Sequence, residues 1–207
     1  MSDSASNLYL TAQGWLAAGH GVAIATVTKT WGSAPRRQGA HLLIRDDGLF
    51  EGSVSGGCVE GDVVVAAGDV IASNTPKRLH YGVADAKAWE VGLACGGEID
   101  ILVQPLTDAG FPPALLDDII AARSAGKSLD LFTDEESRTT TAASAGAFKR
   151  SYMPPLELLL VGAVHISQAL IPIARTLEYR VRLVDPRGDF AAGARFSGLD
   201  IDTRWPD

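Results

Sequence analysis

The sequence predicts an α/β protein in which an N-terminal mixed α/β domain precedes a Rossmann-like domain whose parallel sheet we expect to be incomplete. Short runs of β-branched residues alternate with segments whose apolar residues recur every three or four positions. Towards the C-terminus, an apolar run at 156–161 is followed by Gly162, an amphipathic segment, and a second apolar run at 181–184 that ends at Asp185. Strand, glycine turn, helix, strand and acid are the opening of a Rossmann βαβ unit.

Glycines, prolines and turn residues bound the segments of the N-terminal domain, where we expect three helices and six strands. The helices have apolar residues at helical spacing and are predicted at 6–18, 57–73 and 112–126. The strands are rich in β-branched or alternating apolar residues and are predicted at 21–30, 40–45, 49–54, 77–82, 98–105 and 129–133. Two internal glycines and a run of three valines lower the helix propensity of the second helix.

Changes in composition suggest the domain boundaries. Residues 1–133 form the first domain, and the polar segment 134–153 is either a linker or a pair of hairpin strands. Residues 154–207 form the Rossmann-like domain, with a third strand at 199–203 and with Pro172 expected to kink its helix or restrict it to the first turns. A complete doubly wound domain contains several more units, so we expect this half to be truncated or to depend on a partner.

Composition excludes several classes of function. The 207 residues include 18 Lys+Arg and 25 Asp+Glu, and the net charge of −7 argues against nonspecific binding to nucleic acid or to an anionic membrane. No apolar stretch approaches the roughly 20 residues that span a bilayer, and the N-terminus does not resemble a signal peptide. Two cysteines are too few for a disulfide scaffold. We therefore expect a cytoplasmic protein that holds any anionic ligand locally.

The C-terminal glycine turn is a candidate dinucleotide site with an incomplete fingerprint. In the turn GAVHIS, which begins at Gly162, the second glycine is replaced by Val164, whose branched side chain would obstruct a pyrophosphate. Asp185 follows Gly162 by 23 residues, close to the spacing of an acid that binds a ribose hydroxyl. The simpler interpretation is that Gly162 makes a strand-to-helix turn, Asp185 closes a strand, and His165 is a cap or a surface residue.

Three glycine-rich segments of the N-terminal domain, 32–37, 52–60 and 92–98, concentrate small hydroxyls, thiols and charged groups. Glycines let the backbone turn its amides inward as an anion-binding nest, and a helix that begins near residue 57 would add its positive end. We therefore expect a cofactor-binding site that draws on all three segments. Its candidate residues are Ser33, Arg36, Ser55, Gly56, Gly57, Cys58, Glu60, Cys95, Gly96 and Gly97.

The thiols and the arginines would carry the chemistry of this site. Cys58, placed in the first turn of the predicted helix, would have more thiolate character, and Arg36 or Arg37 could clamp a phosphate or carboxylate. Each group also has a simpler interpretation: a tight turn for the glycines, buried apolar positions for the cysteines, a first-turn charge for Glu60, and solvation of a loop for the arginines. Binding is favoured because both of the chain's cysteines, Cys58 and Cys95, adjoin a Gly-Gly pair.

Three segments resemble the XdhC/CoxI family, accessory proteins that mature xanthine dehydrogenase and carbon monoxide dehydrogenase. They are ATVTKTWGSAPRRQGAHLLIRDDG at 25–48, GSVSGGCVEGDV at 52–63 and GLACGGEIDILVQPL at 92–106. The later stretches LLLVGAVHISQAL and LVDPRGDF look like the family's C-terminal Rossmann-type domain. The chain departs from the family at Val164 and Ser167, which stand where a dinucleotide fingerprint has small turn residues, and in ending before the second domain would usually be complete.

Membership would imply an accessory factor rather than a classical enzyme. Such a protein binds the molybdenum cofactor (molybdopterin), protects it, assists its sulfuration by a cysteine desulfurase and delivers it to an apo molybdenum hydroxylase. The cofactor's phosphate suits amide nests and Arg36, and its dithiolene-bound metal suits soft thiolates, which makes Cys58 and Cys95 candidate neighbours or ligands of the molybdenum. Self-association into a homo-oligomer is a further expectation for such a protein.

Two alternatives from other classes remain open. A nicotinamide-dependent oxidoreductase would bind NAD(P) through Gly162 and Asp185, although no proton-transfer residues complete that assignment. A thiol redox protein would pair Cys58 with Cys95, which requires Cα atoms within about 7 Å of each other.

Overall fold

The structure is a computed structural model that describes residues 5–82, 97–187, 196, 199 and 201–205. The chain divides into two compact units, Ser6–Met153 and a second unit that begins at Pro154. The combination of helices with antiparallel and parallel sheets confirms the predicted α/β class.

A five-stranded antiparallel sheet forms the centre of the first unit, with strand order β3-β2-β1-β5-β4. Its strands are β1 (Val22–Trp31), β2 (His41–Arg45), β3 (Phe50–Gly52), β4 (Lys77–Tyr81) and β5 (Glu98–Pro105). The helices of this unit are α1 (Ala5–Ala17), α2 (Glu60–Ser73) and α3 (Ala114–Ser124).

Helices cover both faces of this sheet, which explains why its central strands are almost continuously apolar. Alternate residues of β1 point to opposite faces: Ala23 and Ala25 pack with α2, while Val22 and Ile24 pack with α1 and α3. Full burial of a side chain such as Ile24 contributes about 1.5–3 kcal/mol to folding. The central strand β1 thereby joins two apolar cores and is a rigid base for the loop that follows it.

A second, smaller sheet completes the first unit, with strand order β7-β6-β8. Its strands are β6 (Leu129–Thr133), β7 (Thr139–Thr140) and β8 (Phe148–Tyr152). Residues 134–153, for which linker and hairpin were both open, thus contain two strands that pair with β6. Buried Gln104 on β5 donates from Nε2 to the carbonyl oxygen of Ser137, 2.7 Å away, and so joins this segment to the main sheet.

The second unit contains the parallel sheet β11-β10-β9 and one helix. Its elements are β9 (Glu157–Val161), α4 (His165–Thr176), β10 (Arg180–Val184) and β11 (Ile201–Asp202). Pro172 lies inside α4, and the helix continues beyond it to Thr176, so the expectation that proline would restrict the helix to its first turns is wrong. None of the helices in the described ranges is long and apolar enough to cross a bilayer.

The largest difference from the predicted elements is at the start of α2. The spacing of apolar residues predicted a helix from residue 57, but α2 begins at Glu60. Gly56 and Gly57 have φ of 83° and 116°, a left-handed conformation that no α-helix contains. Cys58 therefore lies in a loop and not in the first helical turn.

Candidate functional site

The loop after β1, residues 32–37, lies between two other candidate segments, and we call it the arginine loop. On one side it meets the start of β5, where a Cβ added to Gly97 would lie 2.7 Å from the carbonyl oxygen of Ser33 and 3.0 Å from that of Trp31. Real Cβ atoms do not approach this closely, so only glycine fits at residue 97. Pairing of Trp31 with Glu98 holds the two strand ends in register.

On its other side, the arginine loop meets residues 53–58, which we call the glycine loop. Arg36 Nε donates to the carbonyl oxygen of Ser53 at 3.2 Å, and Gly56 packs beside Pro35. The guanidinium of Arg36 and the side chain of Ser33 are exposed. The structure thus brings the segments of Ser33, Arg36, Gly56 and Gly97 together, although they come from three separate parts of the sequence.

The amides of the glycine loop turn inward, as the sequence predicts, but their acceptor is a side chain of the protein. The amides of Ser55, Gly56 and Gly57 donate to the carboxylate of Glu60 at 2.8, 3.1 and 2.9 Å. The amide of Val54 and the hydroxyl of Ser53 donate to the same carboxylate at 3.1 and 2.8 Å. The nest expected for an external anion is therefore filled by the first residue of α2.

Glu60 is charged in this setting although it is buried, with 7% of its surface exposed. Burial alone raises the pKa of a carboxyl group, but the hydrogen bonds from Ser55 and Ser53 outweigh burial and lower the pKa of Glu60 to about 2. Glu60 was expected to contact the cofactor or to be a simple first-turn charge that favours the helix dipole. The geometry instead makes it the internal acceptor of the glycine loop.

Cys58 is the last residue of the glycine loop and lies at the edge of the core of the first unit. Its side chain is half-buried and packs against the apolar cluster beneath α2, and its amide donates to Ser55 Oγ at 3.0 Å. This hydrogen bond fixes the Cys58 backbone within the glycine loop. Cys95 and Gly96, which are predicted to share the site with Cys58, lie outside the described residues. The Cα distance that a Cys58–Cys95 disulfide requires is therefore not tested.

A metal site built from protein ligands alone is not found in the described ranges, where no three His, Cys, Asp or Glu side chains form a group that could hold an ion. A role of Cys58 as a ligand of the cofactor's molybdenum stays a prediction.

The C-terminal glycine turn has a structural role. Gly162 has φ of 109°, and the Ala163 amide donates to Asp185 Oδ2 at 2.7 Å. The Arg187 side chain also donates twice to this carboxylate, both at 3.0 Å, and holds the pKa of Asp185 well below its usual range. Because the Asp185 side chain is only 1% exposed, it is not presented to a ribose hydroxyl, and the assignment of Gly162 and Asp185 to a dinucleotide is not supported.

Sequence reasoning missed one residue of the site, Ser53. Its hydroxyl donates to Glu60 and accepts the amide of Gly56 at 2.9 Å, so it closes the glycine loop. The signal was present in the alternation of Ser53 and Ser55 directly before the Gly-Gly pair, because serine hydroxyls often bond to backbone two or three residues on.

Comparison with known proteins identifies relatives that share these segments. The XdhC and CoxI family matches residues 15–82, which include the arginine loop and the glycine loop. The molybdenum cofactor insertion chaperone PaoD of Escherichia coli (strain K12) is 28% identical over 193 residues, which are 91% of this chain and 59% of PaoD. A probable xanthine dehydrogenase subunit of Bacillus subtilis (strain 168) is 35% identical over 89 residues, 41% of this chain and 26% of that protein.

A similar fold is known from a crystal structure. A xanthine dehydrogenase from Bacillus halodurans superposes with a TM-score of 0.78 and 23% sequence identity, covering 98% of this chain and 68% of that one. The chain thus spans about three fifths of the length of PaoD and most of the length of the solved structure.

Proposed function

Because the chain belongs to the XdhC/CoxI family, we propose that it is a molybdenum cofactor chaperone, which binds the cofactor as cargo and delivers it to an apo molybdenum hydroxylase. The observation that carries this proposal is the contact of the arginine loop with both the glycine loop and Gly97. It places an exposed guanidinium and a half-buried thiol on neighbouring loops of one unit.

The chemistry of these groups fits the parts of the cofactor. The exposed guanidinium of Arg36 can bind the cofactor's phosphate through two parallel hydrogen bonds. The half-buried thiol of Cys58 is a soft group suited to the molybdenum end, and Cys95 is its proposed counterpart. The filled nest of the glycine loop offers no further anion site, so the phosphate is assigned to the arginine loop and not to the amides.

We further propose that the bound cofactor is sulfurated by a cysteine desulfurase before transfer, and that all these steps take place in the cytoplasm. A xanthine dehydrogenase-like hydroxylase is the proposed client, in keeping with the names of the relatives. Self-association remains a prediction.

Titration of the freshly reduced full-length protein with isolated molybdenum cofactor tests the proposal. We expect saturable binding that is weakened about tenfold or more by Arg36→Ala, since loss of a hydrogen bond to a charged group costs about 1.5–3 kcal/mol. The double change Cys58→Ala, Cys95→Ala removes both thiols proposed for the metal end and should also weaken binding. Arg138→Ala removes an exposed arginine far along the chain from both loops and is the matched control. No binding by the wild type refutes the function, and wild-type affinity in the double variant refutes the site.

A further inference from the structure

Glu60 combines two properties that an ordinary first-turn acid does not have. It begins α2, where an acidic side chain usually points into solvent towards the helix dipole. Here the carboxylate is buried and turns back, out of the helix, into the preceding loop. The neighbouring residues Gly56 and Gly57 are exposed and have no side chains. The carboxylate is therefore covered by the backbone of the loop and by the side chains of Ser53 and Ser55.

The hydrogen-bonding capacity of this carboxylate is filled within the loop. Oε1 accepts from the Ser53 hydroxyl and from the amides of Val54, Ser55 and Gly56, and Oε2 accepts from the Gly57 amide and the Ser55 hydroxyl. Two carboxylate oxygens offer about four lone-pair sites, and six donors exceed that number. No capacity is left for a ligand, and the amides are no longer available to one.

The Ser55 hydroxyl links this carboxylate to the thiol-bearing residue. It donates to Glu60 Oε2 and accepts the amides of Cys58 and Val59, both at 3.0 Å. Because the Ser55 hydroxyl bonds to both the Glu60 carboxylate and the Cys58 amide, the position of the carboxylate determines the position of the Cys58 backbone.

We infer that Glu60 is a positioning residue that serves as the built-in anion of the glycine loop, holding Cys58 in place and excluding an external phosphate from the loop amides. The anionic end of a bound ligand must then lie on the side of Arg36, which donates to Ser53 and keeps its guanidinium exposed. The inference rests on the proposed function only for its link to cofactor binding. The loop geometry can be tested without the cofactor.

Replacement of the carboxylate by acetate tests the built-in anion. Glu60→Ala removes a CH2–COO⁻ group, which acetate matches in size and charge. We expect the variant to have a lower thermal unfolding midpoint than the wild type, and added acetate to raise that midpoint, whereas chloride at the same ionic strength does not. Glu51→Ala, which removes a half-buried glutamate from the neighbouring strand β3, is the matched control and should show no response to acetate.

Alkylation of Cys58 by iodoacetamide, followed on its own peptide by mass spectrometry, tests the positioning role. We expect the rate to rise severalfold in Glu60→Ala and to return towards the wild-type rate with acetate. Ser55→Ala removes the hydroxyl that joins the Glu60 carboxylate to the amides of Cys58 and Val59 but leaves the carboxylate in the loop, so the alkylation rate should rise without any response to acetate. This second variant keeps the test decisive if Glu60→Ala does not fold.

Unchanged alkylation in Glu60→Ala and Ser55→Ala, or an acetate response in Glu51→Ala equal to that in Glu60→Ala, would overturn the inference. In titrations with the cofactor, Glu60→Gln should bind about tenfold more weakly than the wild type, the equivalent of one lost charged hydrogen bond. A wild type that binds no cofactor but shows the acetate and alkylation effects in its variants would refute the proposed function and leave the role of Glu60 intact.

Discussion

His41 is a buried histidine that the proposed function does not use, and it ties β2 to the second sheet. Its Nδ1 lies 3.0 Å from Thr26 Oγ1, and its Nε2 lies 3.1 Å from the Tyr152 hydroxyl. Its ring stacks on that of Tyr152 with a centroid distance of 5.9 Å. Burial, helped by the charge of Arg150, lowers the pKa of His41 from 6.5 to about 3.

This lowered pKa predicts a loss of stability between pH 7 and pH 5, which is above the range in which most carboxyl groups titrate. The unfolded chain binds a proton at His41 near pH 6.5 and the folded chain only near pH 3, so stability is complete above pH 6.5 and is lost as pH falls towards 3. At pH 5 the loss is about 2 kcal/mol. Urea unfolding at pH 7 and pH 5 measures it.

His41→Gln provides the comparison for that measurement. The variant is less stable at pH 7 because it loses the stacked ring, but its free energy of unfolding should change little between pH 7 and pH 5. An equal loss in wild type and variant would show that another group carries the pH dependence.

At the scale of elements, the close contact between the arginine loop and β5 is what assembles the site. Gly97→Ala would place a methyl group 2.7 Å from the carbonyl oxygen of Ser33 and force the loop and the strand apart. We expect a loss of about 1–3 kcal/mol in the free energy of unfolding, with weaker cofactor binding in the same variant. Chemical denaturation and cofactor titration measure the two effects.

Gly61→Ala is the matched control for this prediction. Gly61 lies in α2 with no atom within 4 Å of an added Cβ, so alanine should stabilise the helix by up to about 1 kcal/mol. Equal effects of the two substitutions on stability would mean that the contact at residue 97 does not hold the loop.

Elements with strong local patterns could be predicted to the residue, and elements set by side-chain placement could not. Strand β5, Glu98–Pro105, has its predicted limits because a run of buried apolar residues ends at a proline. The predicted start of α2 is too early because Val59 continues the apolar spacing of the helix. The positive φ of Gly56 and Gly57, which prevents a helix there, does not change that spacing. Likewise, the capture of loop amides by Glu60 depends on where a side chain turns, which its helix position does not reveal.

The same distinction applies to the candidate site. Glycines beside thiols and an arginine predict that three segments form one site. The arginine loop contacts both Gly56 and Gly97 and so brings segments distant in sequence together, while their role in binding stays a prediction. What the sequence pattern left open was whether the amides serve a ligand or the protein itself. An acid a few residues after a glycine pair allows both outcomes, and only the burial of Glu60 decides between them.

At the scale of the whole molecule, the two units have cores of unequal size. The first unit has large apolar clusters on both faces of its central sheet. In the second unit the buried cluster of the described residues is small and centres on Ile171 and Leu183, while Leu159, Val161 and Ile173 are more than half exposed. Because stability grows with the apolar area removed from water, the second unit should be the less stable of the two.

Hydrogen exchange of the full chain, followed by mass spectrometry at rising urea, tests this difference. Amides of β9, β10 and α4 should exchange after the second unit opens, and amides of β1, β2 and β5 after the first unit opens. We expect the free energy of opening to be at least about 2 kcal/mol lower for the second unit. The first unit contains all the described residues of the candidate cofactor site, so Cys58 should keep its wild-type alkylation rate in urea that opens only the second unit. One common opening for all these elements, or a Cys58 rate that rises together with exchange in α4, would contradict the prediction, because either result would make the candidate site depend on the weaker core.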